Sequence, residues 1–183
     1  MPNGRIHSAA TIGATTGITT SLVIANISLL RLPLLFWLIP IGSLLGLFLT
    51  PDLDQDSTVM SHNYTNRFFG RLIGFWWYHL WHSYSISFKH RSPLSHAPII
   101  STLVRLTFLI FPPIIILFRN QRSIRSSKLL YHSLISLVAV LPLWTAALFI
   151  YTIGININPV IFIYLIIGLI ASDTLHYLMD RIF

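Results

Sequence analysis

Long apolar stretches constrain this chain more than any other feature of its sequence. Hydrophobic residues make up 54% of the 183 positions and charged residues only 9%, a composition typical of integral membrane proteins. A helix needs about 20 consecutive apolar residues to cross the hydrocarbon core of a bilayer. Segments of about that length occupy residues 9–30, 32–50, 129–153 and 159–178. The sequence therefore predicts an all-α, integral membrane helical bundle with about four spanning helices.

The order of polar and apolar segments predicts one membrane-embedded domain over residues 1–183. The first two predicted spans are joined by a very short connection, which predicts a helical hairpin with both ends at one membrane face. Residues 51–98 form the polar part of the chain. Within them, residues 68–81 combine basic side chains with tryptophans, a pattern typical of a helix lying at the membrane interface.

The apolar segment at residues 99–118 is interrupted by two prolines, Pro112 and Pro113. A single crossing here would put the basic loop at residues 119–128 opposite the other basic loop, against the positive-inside tendency. It would also put the two aspartate motifs of the chain on opposite faces. We therefore expect a re-entrant or interfacial hairpin, with both basic loops and both aspartate motifs at the cytoplasmic face.

The net charge of +7 indicates what the chain contacts, and its lack of cysteine limits how it could bind metal. In a membrane protein, basic loops usually face anionic lipid, so we expect membrane lipid as a partner and no nucleic acid. The absence of cysteine excludes disulfides and thiolate metal sites. Any metal must therefore be held by histidine and aspartate.

All five acidic residues are aspartates, and they are confined to two short motifs. The first motif is residues 51–56 (PDLDQD), and the second is residues 173–180 (DTLHYLMD). Closely spaced carboxylates with histidines nearby are typical of a divalent metal site. Ionisable groups in membrane helices usually serve a function. We therefore favour a functional role for both motifs over polar helix ends that simply meet water.

The spacing within each motif indicates how its side chains could converge. Asp173, His176 and Asp180 fall on one narrow stripe of a helix, which predicts metal ligation or general-base chemistry. Alternating aspartates at Asp52 and Asp54 can converge on a cation if the segment is extended. The first motif lacks the glycine and the distal glutamate of a calcium EF-hand loop, so that type of site is discounted.

A third motif, residues 90–96 (HRSPLSH), places two histidines around a turn. Neutral imidazole is a common zinc ligand, and Arg91 could pair bidentately with a phosphate. The same residues would suit an interfacial cluster that contacts lipid headgroups, and both interpretations stay open. His7 is expected at the same face as Asp52, although an N-terminal histidine is often merely exposed. The remaining histidines, at positions 62, 79, 82 and 132, are interpreted as interfacial or packing residues.

Four motifs, taken in order, resemble a known family: residues 1–7 (MPNGRIH), 51–54, 90–96 and 172–176 (SDTLH). The chain is similar to a bacterial family of uncharacterised metal-binding membrane proteins and to membrane-bound metal-dependent hydrolases of the YdjM type. Those hydrolases are thought to be distant relatives of zinc-dependent phospholipase C and P1 nuclease. The resemblance covers nearly the whole chain, and it implies a multi-pass protein of the bacterial inner membrane.

The resemblance also implies a cofactor, a divalent metal and most simply zinc. Its candidate ligands are His7, Asp52, Asp54, His90, His96, Asp173, His176 and Asp180. We therefore expect hydrolysis of a phosphoester, such as a lipid headgroup or a lipid-linked phosphate, with Arg91 holding the phosphate and Asp54 as the candidate base. Two alternatives stay open: a non-catalytic metal site with a structural or docking role, and an ion carrier.

Overall fold

The structure, a computed structural model, describes residues 4–27, 33–55, 59–110, 126–154 and 157–182. These residues are helical apart from turns and short connections, and they contain no strand, which confirms the all-α prediction. The α-helices of the described ranges are α1 Gly4–Ala25, α2 Leu38–Leu45, α3 Met60–Ser85, α4 Pro93–His96, α5 Pro98–Ile110, α6 Ser126–Thr152 and α7 Val160–Ile182. Short 3₁₀ turns at Leu34–Trp37 and Pro51–Asp54 lie on either side of α2.

Within the described ranges, three helices are long and apolar enough to cross a membrane. Their candidate spans are Arg5–Ala25 in α1, Leu134–Thr152 in α6 and Val160–Ile182 in α7. They overlap three of the four predicted spans. Many of their apolar side chains face outward, including Phe149 on α6 and Phe162 on α7. Such outward apolar surface suits a lipid environment.

The predicted second span at residues 32–50 takes a different form. Its helical part, Leu34–Leu45, is too short to cross a bilayer alone. Hydropathy counts apolar residues, but it does not show that the helix stops after Leu45. Thr50 precedes a proline and is extended, with ψ of 151°, and the chain then enters the 3₁₀ turn that carries Asp52 and Asp54.

The segment predicted to lie at the interface falls within α3, which packs mainly against α6. Helix α3 is kinked at Gly70, whose φ of +86° is left-handed and favours glycine. The re-entrant hairpin stays a prediction. Although α5 covers its first half, Pro112, Pro113 and the basic residues at positions 119, 122 and 125 lie outside the described residues.

The most extensive helix contact in the described part of the chain joins α2 and α7. A Cβ atom added at Gly42 would collide with the carbonyl oxygen of Leu165, and one added at Gly168 would collide with that of Ile39. The two backbones therefore touch directly, which small residues permit in membrane helix packing. This contact fixes the aspartate turn that follows α2 against the last turns of α7.

Hydroxyl groups attach α1 to both members of this pair. The Thr15 hydroxyl donates a hydrogen bond to Ser43 Oγ on α2 (2.9 Å), and the hydroxyls of Thr11 and Ser172 on α7 are 3.1 Å apart. Each bond satisfies polar atoms in an apolar setting, so the register of α1 is specified. His7, one turn before Thr11, is thereby brought to α7.

We expect Gly168→Ala to destabilise the protein by about 1–3 kcal/mol, because the added methyl forces α2 and α7 apart. Gly13→Ala is the matched control, since a Cβ at Gly13 has nothing within 4 Å and alanine favours helix. The measurement is equilibrium unfolding in mixed detergent micelles. Equal stability of the two variants would contradict the close contact.

Candidate metal centre

Seven of the eight candidate ligands converge in one region, where the ends of several helices meet. His7 lies in the first turns of α1, and His176 and Asp180 lie in the last turns of α7. The other four lie in connecting turns and in the short helix α4: Asp52, Asp54, His90 and His96. Asp56, which belongs to the first aspartate motif, is outside the described residues.

The first aspartate motif forms a 3₁₀ turn rather than the extended segment expected from alternation. Pro51 starts the turn, and the side chain of Thr50 accepts a hydrogen bond from the backbone N–H of Asp52 (3.4 Å). With three residues per turn, side chains two positions apart point in different directions. Asp52 therefore faces His176, and Asp54 faces His90 and His96.

Asp52, His176 and Asp180 form the centre of the cluster. His176 Nε2 lies 3.5 Å from Asp52 Oδ1 and 3.7 Å from Asp180 Oδ2. Asp180 Oδ1 is 3.5 Å from His7 Nε2, and Asp180 Oδ2 is 3.6 Å from His96 Nε2. The rings of His7 and His176 are stacked, with centroids 3.8 Å apart.

These distances are longer than hydrogen bonds of about 2.7–3.2 Å. They instead match the separation between the ligand atoms of one metal ion. With metal–ligand bonds of about 2.1 Å, the ligand atoms of a tetrahedral zinc site lie about 3.4 Å from one another. The central donors are thus separated as ligands of a shared ion would be.

Four buried imidazole nitrogens have no hydrogen-bond partner among the described residues: His62 Nε2 on α3, and three in the cluster, His7 Nδ1, His96 Nε2 and His176 Nε2. The three residues are only 4–6% exposed, so water does not reach them freely. A buried polar atom without a partner costs about 1–3 kcal/mol. A divalent cation would satisfy the Nε2 atoms that face carboxylates, so the donor set fits a metal.

The surroundings of Asp54 are different, because its polar contacts are largely satisfied. Asp54 Oδ1 is 2.6 Å from His90 Nδ1, and Oδ2 accepts a hydrogen bond from the backbone N–H of Arg91 (3.2 Å). His96 Nδ1 is 3.4 Å from Oδ2 and 3.2 Å from the Ser95 hydroxyl. Burial raises the pKa of Asp54, but hydrogen bonds from His96, Ser95 and His90 outweigh it and lower the pKa.

Asp52 is also held in its ionised form. Burial raises its pKa, but the neighbouring imidazole of His176, together with His7 and His96, outweighs burial and lowers the pKa to about 2. The side-chain amide of Gln55 donates a further hydrogen bond to Asp52 Oδ1 (2.8 Å). Asp52 therefore presents a carboxylate to the cluster at any physiological pH.

Three combinations of these side chains place their ligand atoms within 4.8 Å of one another in the described part of the chain. They are His7–Asp52–His176, His96–His176–Asp180 and Asp54–His90–His96. The first two share His176 and contain the unpartnered nitrogens that face carboxylates. The third is the group around Asp54, whose atoms already have partners.

Asp173 lies apart from the cluster, although it shares a helical stripe with His176. Its carboxylate accepts hydrogen bonds from the Thr102 hydroxyl and the Arg105 guanidinium, both on α5. Asp173, Thr102 and Arg105 are completely buried. Arg105, a charge inside an apolar segment, is thereby accounted for as the ion-pair partner of Asp173.

An open cleft of about 270 Å³ lies beside the cluster, and its lining includes residues that sequence reasoning did not single out. It is lined by Arg91, His96, Tyr177, Asp180 and Arg181. Arg91 Nη2 donates to Asp180 Oδ1 at 3.2 Å. No sequence motif indicated that Tyr177 and Arg181 are site residues. Only their position next to His176 and Asp180 on the same helix could have pointed to them.

A comparison with protein families decides the classification of the chain. It belongs to the DUF2227 family of uncharacterized metal-binding proteins. The match covers residues 2–183, and the donor set described above agrees with a metal-binding family. Searches of curated proteins and of solved structures found no match for this DUF2227 protein. Its relationship to YdjM-type hydrolases, and zinc as the metal, stay predictions.

We expect Arg105→Met to destabilise this DUF2227 protein by about 3–5 kcal/mol, because it leaves the buried carboxyl group of Asp173 without its partner, to be buried as an unpaired charge or protonated at a cost. The double variant Arg105→Met/Asp173→Leu should recover much of that loss, since it removes both charges. Equilibrium unfolding in micelles measures both effects.

The same double variant tests whether Asp173 binds metal. If Asp173 serves only to hold α7 against α5, the double variant should keep the metal content of the wild-type protein. Loss of metal in a folded double variant would instead make Asp173 a ligand.

Proposed function

We propose that this protein is a membrane-bound, metal-dependent hydrolase of a phosphoester, either a lipid headgroup or a lipid-linked phosphate. The observation that carries the proposal is the position of the donor cluster at the wall of an open cleft that also carries arginine. His96 and Asp180 belong to both the cluster and the cleft. A catalytic metal keeps a position open to water or substrate, whereas a structural metal is enclosed by protein ligands.

The proposed ligands are three histidines that each have an unpartnered ring nitrogen and the two carboxylates that face them. The histidines are His7, His96 and His176, and the carboxylates are those of Asp52 and Asp180. Nitrogen and oxygen donors at near-tetrahedral spacing favour zinc. Asp54 and His90 satisfy one another, so we assign them a supporting role. With its proton on Nδ1, His96 donates toward Asp54 and Ser95, which leaves the Nε2 lone pair available to the metal.

A divalent ion held by these residues would supply Lewis acidity toward a phosphoryl oxygen and would acidify a water molecule. The protein would supply the remaining functions. Arg91 binds and orients the phosphate, since a guanidinium pairs bidentately with phosphate oxygens. Asp180 lines the cleft and, as a proposed ligand, would hold the ion beside the bound phosphate. Asp54, the candidate base of the sequence analysis, faces histidines rather than the cleft, so we assign it the role of orienting His96.

The position of the cleft along the helices favours a lipid substrate. Tyr177, Asp180 and Arg181 are in the final turns of α7, whose candidate span ends at Ile182. If α7 spans the bilayer, the cleft opens at the depth of the headgroups. The basic loops of the chain favour the cytoplasmic side for this end.

A second candidate is a non-catalytic metal site that clamps the helix ends. The observation in its favour is that ligands come from α1, the 3₁₀ turn, α4 and α7, and that the histidines are buried. Such a site would stabilise the fold without turning over a substrate. An ion carrier is disfavoured, since the described cluster sits at one end of the helices rather than along the bilayer.

The first test is the metal content of the detergent-purified protein, measured by elemental mass spectrometry. We expect one or more zinc ions per wild-type chain and a loss of metal in His96→Ala and His176→Ala. His79→Ala is the matched control, because His79 lies on α3 outside the three donor groups. A metal-loaded protein that hydrolyses none of a panel of lipid and soluble phosphoesters would favour the clamp over the hydrolase.

Two aspartate variants separate a ligand from a supporting residue. We expect Asp54→Asn to bind the normal number of zinc ions at saturation, with about 10–100-fold lower affinity, because it disturbs the orientation of His96. Asp52→Asn, a change of the same chemistry at a proposed ligand, should reduce the number of ions bound. Competition with a chromophoric chelator measures both quantities, and a reduced number for Asp54→Asn would make Asp54 a ligand.

A further inference from the structure

The cleft beside the donor cluster carries two guanidinium groups that come from distant parts of the sequence. Arg91 precedes α4, and Arg181 lies in the last turn of α7. We infer that this cleft is a subsite for a terminal phosphate, the dianionic group of a phosphomonoester, rather than for a phosphodiester. This inference rests on the proposed function, because it names the substrate class of that site.

The backbone of Arg91 is the first support for this subsite. Its φ of +60° is left-handed, a conformation that disfavours an L residue and that glycine would adopt without strain. The conformation is fixed by the hydrogen bond from its N–H to Asp54 Oδ2 (3.2 Å). Strained residues of this kind concentrate at functional sites. An arginine here points to a requirement for its side chain, which reaches Asp180 at the cleft wall.

The second support is the way in which Arg181 is held. Arg181 Nη2 donates to the Tyr177 hydroxyl (2.9 Å), and its guanidinium carbon lies 5.2 Å from the centroid of the tyrosine ring. A stacked and hydrogen-bonded arginine loses less freedom when it binds an anion. Residues four apart often meet in this way on a helix surface, but here both members of the pair line the cleft.

The charge of the cleft favours a dianion. Its described lining contains two arginines and a single carboxylate, Asp180, which is also a proposed metal ligand. A terminal phosphate carries about two negative charges near neutral pH and offers three free oxygens. A diester has one charge and two free oxygens. A monoester offers one free oxygen to each of the two guanidinium groups and to the metal, whereas a diester has only two free oxygens to share among them.

The phosphate contacts alone do not distinguish a terminal phosphate on a lipid from one on a soluble molecule, because both present the same group to the cleft. The recognition chemistry can therefore be tested with small soluble probes. Monomethyl phosphate and dimethyl phosphate form a suitable pair, because they differ in charge and in free oxygens but little in size.

The experiment is calorimetric titration of the zinc-loaded protein in detergent with each probe. We expect the wild-type protein to bind monomethyl phosphate at least about tenfold more tightly than dimethyl phosphate. Arg181→Gln should remove most of this preference. Arg67→Gln is the matched control, since Arg67 is an exposed arginine of α3 that does not line the cleft. Equal affinity of the wild-type protein for the two probes, or an equal effect of both substitutions, would overturn the inference.

Arg91→Gly gives a second and independent measurement. The substitution removes the guanidinium and also relieves the left-handed backbone, so a folding defect is not expected. We expect thermal stability to be kept or raised while affinity for monomethyl phosphate falls at least tenfold. Lost stability with unchanged affinity would show that Arg91 serves the fold alone, and it would refute its part in the subsite.

Two further arms identify the source of the phosphate and separate the two proposals. Tighter binding of phosphatidic acid in mixed micelles than of glycerol 3-phosphate would indicate a lipid, and the reverse order a soluble substrate. Selective binding of monomethyl phosphate without hydrolysis of any phosphoester would refute the proposed hydrolase activity but keep the subsite. Hydrolysis of a phosphoester by a protein that binds the two probes equally well would refute the subsite but keep the hydrolase.

Discussion

The contact between the backbones of α2 and α7 is the constraint on which the site depends. Because Gly42 and Gly168 have no side chains, the helices meet at a distance that no other residue pair would allow. That contact places the turn after α2 beside the last turns of α7, so Asp52 meets His176. Helix α1 is then attached to the same pair through hydroxyl groups, and His7 follows. The polar chemistry is therefore positioned by apolar packing and small residues.

The chain neutralises its buried aspartates in two different ways. Asp173 is paired with a cation of the protein itself, Arg105, which makes a closed and fully desolvated ion pair. Asp52 and Asp180 instead face imidazoles at distances that leave nitrogen lone pairs unused. The first arrangement balances charge within the protein and joins two helices, although Asp173 Oδ1 and two guanidinium nitrogens of Arg105 have no hydrogen-bond partner among the described residues. The second would be balanced by an external cation that binds the unused nitrogen lone pairs.

Much of this arrangement could be predicted from the sequence. The confinement of every carboxylate to two motifs predicted that Asp52 and Asp180 would come together, because an apolar chain has few other reasons to keep them. The sequence could not predict the separation of Asp173 from His176, since helical spacing shows a shared face but not the α5 residues opposite it. The sequence also overestimated the length of the second helix, because hydropathy does not show where a helix ends. The pairing of Arg181 with Tyr177 had no sequence signal beyond its proximity to Asp180.

The donors of the cluster are widely separated in the sequence, from His7 in α1 to Asp180 in α7. During synthesis, His7 leaves the ribosome long before Asp180. The cluster cannot assemble while α7 is still being made, so a metal ion would be captured only by the folded chain. Because the ion would bind only the folded chain, its binding free energy would add to the stability of the fold, and it would hold α1 against α7.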